Sequence, residues 1–205
     1  MQVSEYFIAL IPEKELYNKI KEIKLLILNS FGEQTYLQDP PHLTLFVGTT
    51  IHLGAISRDL AKFASQNTRI KFNIEDWLIF SKDKITNSST LAFSLNHDCR
   101  KALMKVQSNI VDMVMPYRHK LLAKRYQRIN FMGIEKFNID HFGFPYTGSS
   151  WITHIGVCSM IEKHIKEIIL SIEIDSFTQT SVFGKIALYK LVDEIPKEII
   201  SCDLK

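Results

Sequence analysis

The chain is poor in cysteine, in charge of one sign and in long apolar runs, and each shortage excludes a class of protein. Its three cysteines, Cys99, Cys158 and Cys202, are far apart and form no Cys-x-x-Cys pair. They predict neither a disulfide framework nor a thiolate metal site. No apolar stretch approaches the roughly 20 residues that span a bilayer. The opening run from Tyr6 to Ile11 is cut short at Pro12, so it makes no signal peptide. A formal net charge of +3 over 205 residues is too mild to imply nucleic-acid binding by itself. Low-complexity tracts and short-period repeats are also missing. A soluble cytoplasmic protein is expected, 46% hydrophobic and long enough for one sizeable core or two small lobes.

Hydrophobic periodicity orders what is present. Residues 3–11 read as a buried strand, Pro12 suits a first helical turn, and Leu16, Ile20, Ile23 and Ile27 follow at helical spacing to a stop near Gly32. Leu53, Ile56, Leu60 and Phe63 mark a second helix. Residues 70–80 and 91–95 are expected to pair as strands across a polar loop at 81–90. Asp98 is expected to cap a third helix, with Leu103, Val106, Ile110 and Val114 inward and Pro116 at its end. From 117 to 150 the periodicity weakens into a connector, part helix and part loop. Ser159 and Glu162 form a capping-box pattern for a fourth helix lined by Ile161, Ile165, Ile168 and Ile172. Strands at about 173–183 and 185–192 close the core. Strands, amphipathic helices and hairpins in this order predict an α+β sandwich of largely antiparallel sheets, not a doubly wound parallel one. Each half holds a histidine-bearing strand followed by a helix and two strands, a pseudo-two-fold pattern.

Those two strands carry the chemistry. In Pro40-Pro41-His42-Leu43-Thr44-Leu45-Phe46-Val47-Gly48 the prolines precede a run of β-formers, and strand alternation places His42, Thr44 and Phe46 on one side. An imidazole and a hydroxyl two residues apart can together handle a proton and hold a phosphate oxygen. The stretch Trp151-Ile152-Thr153-His154-Ile155-Gly156-Val157-Cys158 repeats the arrangement, with His154, Gly156 and Cys158 sharing a face and glycine at the hydroxyl position. Two imidazoles with reference pKa ~6.5 can hold opposite protonation states near neutrality, as phosphodiester cleavage requires.

The pair of motifs, His42-Leu43-Thr44-Leu45 and His154-Ile155-Gly156-Val157, resembles the two-histidine phosphoesterase superfamily, also called 2′-5′ RNA ligase-like or cyclic phosphodiesterase-like. Its signature is a distant pair of His-x-Thr/Ser-x strands. Met115-Pro116-Tyr117-Arg118 and Gly143-Phe144-Pro145-Tyr146 look like connector sequences of several of its branches. The resemblance covers essentially the whole chain. It implies a single bilobal domain over 1–205, with flanking helices, a central groove carrying one motif per lobe, no metal and no cofactor. Members hydrolyse or form phosphodiesters, commonly 2′,3′-cyclic phosphates, 2′-5′ linkages or RNA ends.

The expected function is therefore a metal-independent phosphodiesterase acting on RNA ends or small nucleotides. His42 and His154 exchange protons, Thr44 and the Gly156 backbone hold the phosphate, and Tyr146 and Tyr36 line the groove. A monomer with no membrane partner is expected. Losing the second hydroxyl costs roughly 10- to 150-fold where nothing replaces it, since bonds to charged groups contribute about 1.5–3 kcal/mol. Two alternatives follow: a non-catalytic nucleotide- or RNA-binding module with a degenerate second motif, or RNA 2′-5′ end-joining. The basic run Arg118, Lys120, Lys124, Arg125 and Arg128 is read as a solvated face or as a rim for a phosphate backbone, with Tyr126 or Phe131 stacking on bases. Phe142 is a further groove candidate. His52, His97, His119, His141 and His164 fit neither motif.

Overall fold

A computed structural model describes residues 2–172 and 180–205. Runs of β-formers become strands β1 (Ser4–Pro12), β2 (Leu43–Thr50), β3 (Ile70–Phe72), β4 (Ile74–Asp83), β5 (Ser88–Leu95), β6 (His154–Met160), β7 (Ser181–Val192) and β8 (Ile195–Asp203). The amphipathic stripes become α1 (Lys14–Phe31), α2 (Leu53–Gln66), α3 (His97–Val114), α4 (Gly133–Phe142) and α5 (Glu162–Ser171). The strands form two antiparallel sheets. In the larger, the order is β2-β1-β7, with β3 and β8 both pairing β7; in the smaller it is β4-β5-β6. This is the α+β, two-sheet arrangement expected. The end strands β2 and β6 face one another, so the two histidine motifs meet at the seam between the sheets. No helix among the described residues is long and apolar enough to cross a membrane.

The core is built from alternate positions of these elements. Tyr6, Phe46, Phe72, Phe93 and Phe183 are fully buried, and the Leu16, Ile20, Ile23 and Ile27 stripe of α1 and the Leu103, Val106, Ile110 and Val114 stripe of α3 are buried beside them. Each such side chain contributes on the order of 1.5–3 kcal/mol through burial.

Several boundaries differ from the sequence expectation for local reasons. Pro12 ends β1 at an irregularity in its pairing with β7, where its missing N–H is tolerated, and α1 begins at Lys14. The expected strand at 70–80 is two strands in different sheets. The chain crosses over at Asn73, whose N–H donates to Asn96 Oδ1 at 2.9 Å while Asn96 N–H returns to the Asn73 carbonyl at 3.0 Å. Asn96, not Asp98, precedes α3, and Asp98 lies in the first turn. Asp83 and Asn87 close the β4–β5 hairpin more tightly than the polar composition of 81–90 suggests: Asn87 N–H donates to the Asp83 carbonyl at 2.8 Å. Ser159 is no helix cap, because β6 continues to Met160 and Ile161 precedes α5. Residues 173–179 lie outside the described residues. β7 then runs without a break through Gly184, and β8 follows after Asp193 and Glu194, both at positive φ as a tight hairpin turn needs.

The most consequential differences are two matched bulges. In β2, Ala9 pairs with Thr44 but Ile8 with Phe46, so Leu45 is an extra residue; in β6, Ala92 pairs with Gly156 but Leu91 with Cys158, so Val157 is extra. A bulge reverses the side-chain alternation beyond it. Phe46 therefore does not share the His42–Thr44 face, and Val47 takes its place. Likewise Cys158 turns away from His154 and Gly156 and is fully buried, while Ser159 falls in with the His154 face.

Candidate active site

Both histidines are held in the same way from the backbone. His42 Nδ1 lies 2.6 Å from the Pro40 carbonyl oxygen, and His154 Nδ1 lies 2.8 Å from that of Ile152. A carbonyl only accepts, so each neutral ring donates from Nδ1–H and keeps its lone pair on Nε2. At His42 that lone pair accepts from Thr44 Oγ1 at 3.0 Å. The residue two positions upstream fixes each ring, which explains why the strand entry, Pro40-Pro41 or Trp151-Ile152-Thr153, matters as much as the strand. Phe7 packs on the His42 ring at 4.9 Å, and Phe80 meets the His154 ring edge-on at 4.8 Å.

The seam is pinned by two buried side chains. Trp151 Nε1–H donates to the Thr44 carbonyl at 3.1 Å, joining the entry of one motif to the middle of the other. Gln107 of α3, 1% exposed, donates to the carbonyls of Leu45 at 3.3 Å and Tyr146 at 2.8 Å. Leu45 is the bulged residue, so Gln107 satisfies a carbonyl that sits at the irregularity in the ladder.

His42, Thr44, His154, Gly156, Tyr36 and Tyr146 all line one cavity of about 380 Å³, a volume suited to a small ligand. None of the other five histidines lines it. Tyr36 holds a left-handed φ of 71°, the kind of local strain that clusters at functional sites. At Gly156 an added Cβ would meet nothing within 4 Å. The cavity wall is open where the hydroxyl is missing.

Sequence reasoning missed the charged lining. Lys24, on the apolar stripe of α1 and 5% exposed, donates from Nζ to the carbonyls of Tyr36 at 2.7 Å and Asp39 at 2.8 Å. Burial pulls its pKa from 10.5 down to about 8, against the pull of Asp39 and Cys158. The signal was available: a lysine four residues after Ile20 and one after Ile23 interrupts an otherwise apolar face. Arg125 also reaches the cavity, with Glu5 Oε1 3.7 Å from its Nε. Asp83 stands on the His154 side and accepts from Thr90 Oγ1 at 2.7 Å.

The basic run thus divides. Arg118 donates to the carbonyls of His141 and Asp140 at the end of α4, against Gly143, while Arg125 points to the cavity. Tyr126 and Phe131 are buried and pack together, so neither forms an exposed stacking platform. Phe142 does not line the cavity.

These charges act on the two imidazoles unequally. Burial pushes His42 from 6.5 down to about 4; its bond to Pro40 opposes this, and Lys24, His154 and Arg125 add to it. Burial also lowers His154, but there both the Ile152 carbonyl and the Asp83 carboxylate favour the protonated ring.

No family model matches the sequence, and no curated protein matches it. Solved structures do match in fold. E. coli LigT complexed with 3′-AMP gives a TM-score of 0.57 at 12% identity, over 100% of this chain and 99% of that one. TT0787 of Thermus thermophilus gives 0.57 at 12% identity, over 98% and 97%. A protein described as a phosphoesterase gives 0.53 at 11% identity, over 100% and 99%. At such identities the likeness is one of architecture. The chain shares the fold of LigT over its whole length.

Proposed function

We propose that residues 1–205 form a single bilobal domain that hydrolyses phosphodiesters at RNA ends or in small nucleotides, by acid–base catalysis between His42 and His154 and without a metal. The observation that carries this reading is the shared cavity, into which both imidazoles bring an Nε2 not committed to the backbone. Binding of 3′-AMP by the LigT protein of the same fold agrees with a nucleotide ligand.

The unequal surroundings favour one division of roles. His42, kept neutral by burial and by the nearby Lys24 and Arg125, serves as base; His154, where Asp83 opposes the effect of burial, serves as acid. On a 2′,3′-cyclic phosphate, His42 Nε2 takes a proton from water as the water oxygen bonds to phosphorus. The bond from phosphorus to one ribose oxygen breaks, and His154 Nε2–H gives that oxygen a proton. Each transfer contributes roughly 10²–10⁴-fold. Thr44, the Gly156 backbone, Lys24 and Arg125 hold the phosphate oxygens, with the cations offsetting the hydroxyl absent at 156.

The test is the pH dependence of turnover on a nucleoside 2′,3′-cyclic phosphate. Since kcat/KM reports free-protein groups and both imidazoles are depressed there, its bell should peak below pH 6.5. Bound anionic substrate raises both values, so kcat should peak at higher pH. His42→Ala and His154→Ala should each abolish the bell. The glycine at 156 favours a second reading, a binding module without turnover, which would show nucleotide affinity and no hydrolysis at any pH.

A further inference from the structure

The first cavity does not end in solvent on every side. A second cavity of about 690 Å³ abuts it, and the two share a wall made of Tyr36, Ile85 and Arg125. Both are lined by charges of either sign, but their other groups differ. The first has the two histidines, the buried Lys24 and many aromatic rings; the second has no histidine and, apart from Tyr36 on the shared wall, no aromatic ring, and sets Lys124, Arg125 and Lys190 against Glu5, Asp193 and Glu194. Glu5 is partly spent on its own surroundings, accepting from Lys124 N–H at 3.0 Å and facing Arg125. The rest of the second lining includes threonine and glutamine side chains, among them Thr35, Thr86 and Gln127. A balanced, hydrogen-bonding recess suits an uncharged polar group far better than a second phosphate.

We infer that the second cavity takes the nucleoside next to the one bearing the reacting phosphate, so that the ligand is an oligonucleotide end. The chain would pass over the Tyr36–Arg125 wall, where an aromatic ring and a guanidinium flank its path. The inference rests on the proposed phosphate site in the first cavity, but it adds a separate property, dependence on chain length.

The experiment is a calorimetric titration of the full chain with two probes: adenosine 3′-phosphate, and an RNA trimer ending in the same 3′-phosphorylated adenosine. The trimer should bind at least about tenfold more tightly, a modest return for one stacked and hydrogen-bonded nucleoside. Lys190→Trp and Gln127→Trp fill the second cavity from different segments, and neither Lys190 nor Gln127 lines the first. In either variant that melts like the parent, the trimer should fall to the affinity of the mononucleotide, while the mononucleotide is bound as before. Equal affinity for both probes in the natural protein overturns the inference, as does a trimer preference that neither folded variant reduces. Because affinity is read, failure of catalysis is distinguishable: length dependence without hydrolysis retains the second cavity and discards the acid–base reading. Hydrolysis without length dependence does the reverse.

Discussion

Placing a threonine at position 156 tests the site at its one departure from pseudo-symmetry. Position 156 lies in β6 beside the Val157 bulge without a positive φ, and a new Cβ meets nothing within 4 Å, so the substitution fits without rearrangement. The bulges at Leu45 and Val157 fall at matching places, so position 156 stands to His154 as Thr44 stands to His42, where hydroxyl and Nε2 are 3.0 Å apart. A hydroxyl donated to a phosphate oxygen in the transition state contributes about 1.5–3 kcal/mol, or roughly 10- to 150-fold in kcat/KM. Lys24 and Arg125 already supply positive charge, so the lower half of that range is expected. Replacing glycine by a β-branched residue should also raise the melting temperature, since strand propensities span about 1 kcal/mol. Initial rates on a nucleoside 2′,3′-cyclic phosphate, read beside a thermal melt, decide the matter. A stabilised variant with an unchanged rate would refute the reasoning: position 156 would then not face the reacting phosphate.

Two further perturbations probe what holds the site. Lys24→Met should change how stability depends on pH. The folded protein gives up the Lys24 proton near pH 8 and the unfolded chain near 10.5, so the natural protein gains roughly 3 kcal/mol of stability as pH rises between those values. The variant lacks that gain, and parallel denaturation curves from pH 7 to 10.5 would contradict it. The same change should weaken nucleotide binding at neutral pH. Gln107→Leu leaves the Leu45 and Tyr146 carbonyls without a buried donor, at about 1–3 kcal/mol each, and should lower the urea midpoint and kcat together. An unchanged midpoint would mean that water replaces the amide.

Residues whose meaning is local were legible in the sequence. The apolar stripes of α1 and α3 depend only on helical spacing, and the two histidine strands only on composition and proline placement, so both emerged without a structure. What failed depended on partners distant in sequence. Phe46 and Cys158 were assigned to the histidine faces by simple alternation, and nothing in either stretch announces a bulge, which is set by the neighbouring strand's register. Ser159 looked like a cap because serine three residues before glutamate is a cap pattern; a strand edge claimed it first, with its hydroxyl donating to Thr86 Oγ1 at 2.7 Å. Asp83 lay in what read as loop, and only the hairpin turns it toward His154. Lys24 was visible in principle, as a charge on an apolar face, but its destination was not.

The unequal surroundings of the two imidazoles bear on why a pseudo-symmetric site can work in one direction. Two histidines with the same backbone anchor and the same burial would share one proton between two equivalent arrangements, only one of which suits a given substrate orientation. Lys24 and Arg125 lie on the His42 side and Asp83 on the His154 side, and none of these three belongs to the repeated motifs. Their fields separate the two arrangements, favouring a neutral His42 and a protonated His154. On the proposed mechanism the motifs supply two interchangeable proton carriers, and side chains outside them decide which one gives and which one takes. Reversing those charges, with Lys24→Glu and Asp83→Lys in one chain, should lower the hydrolytic rate with both histidines intact; an unchanged rate would mean that the substrate's own charge sets the direction.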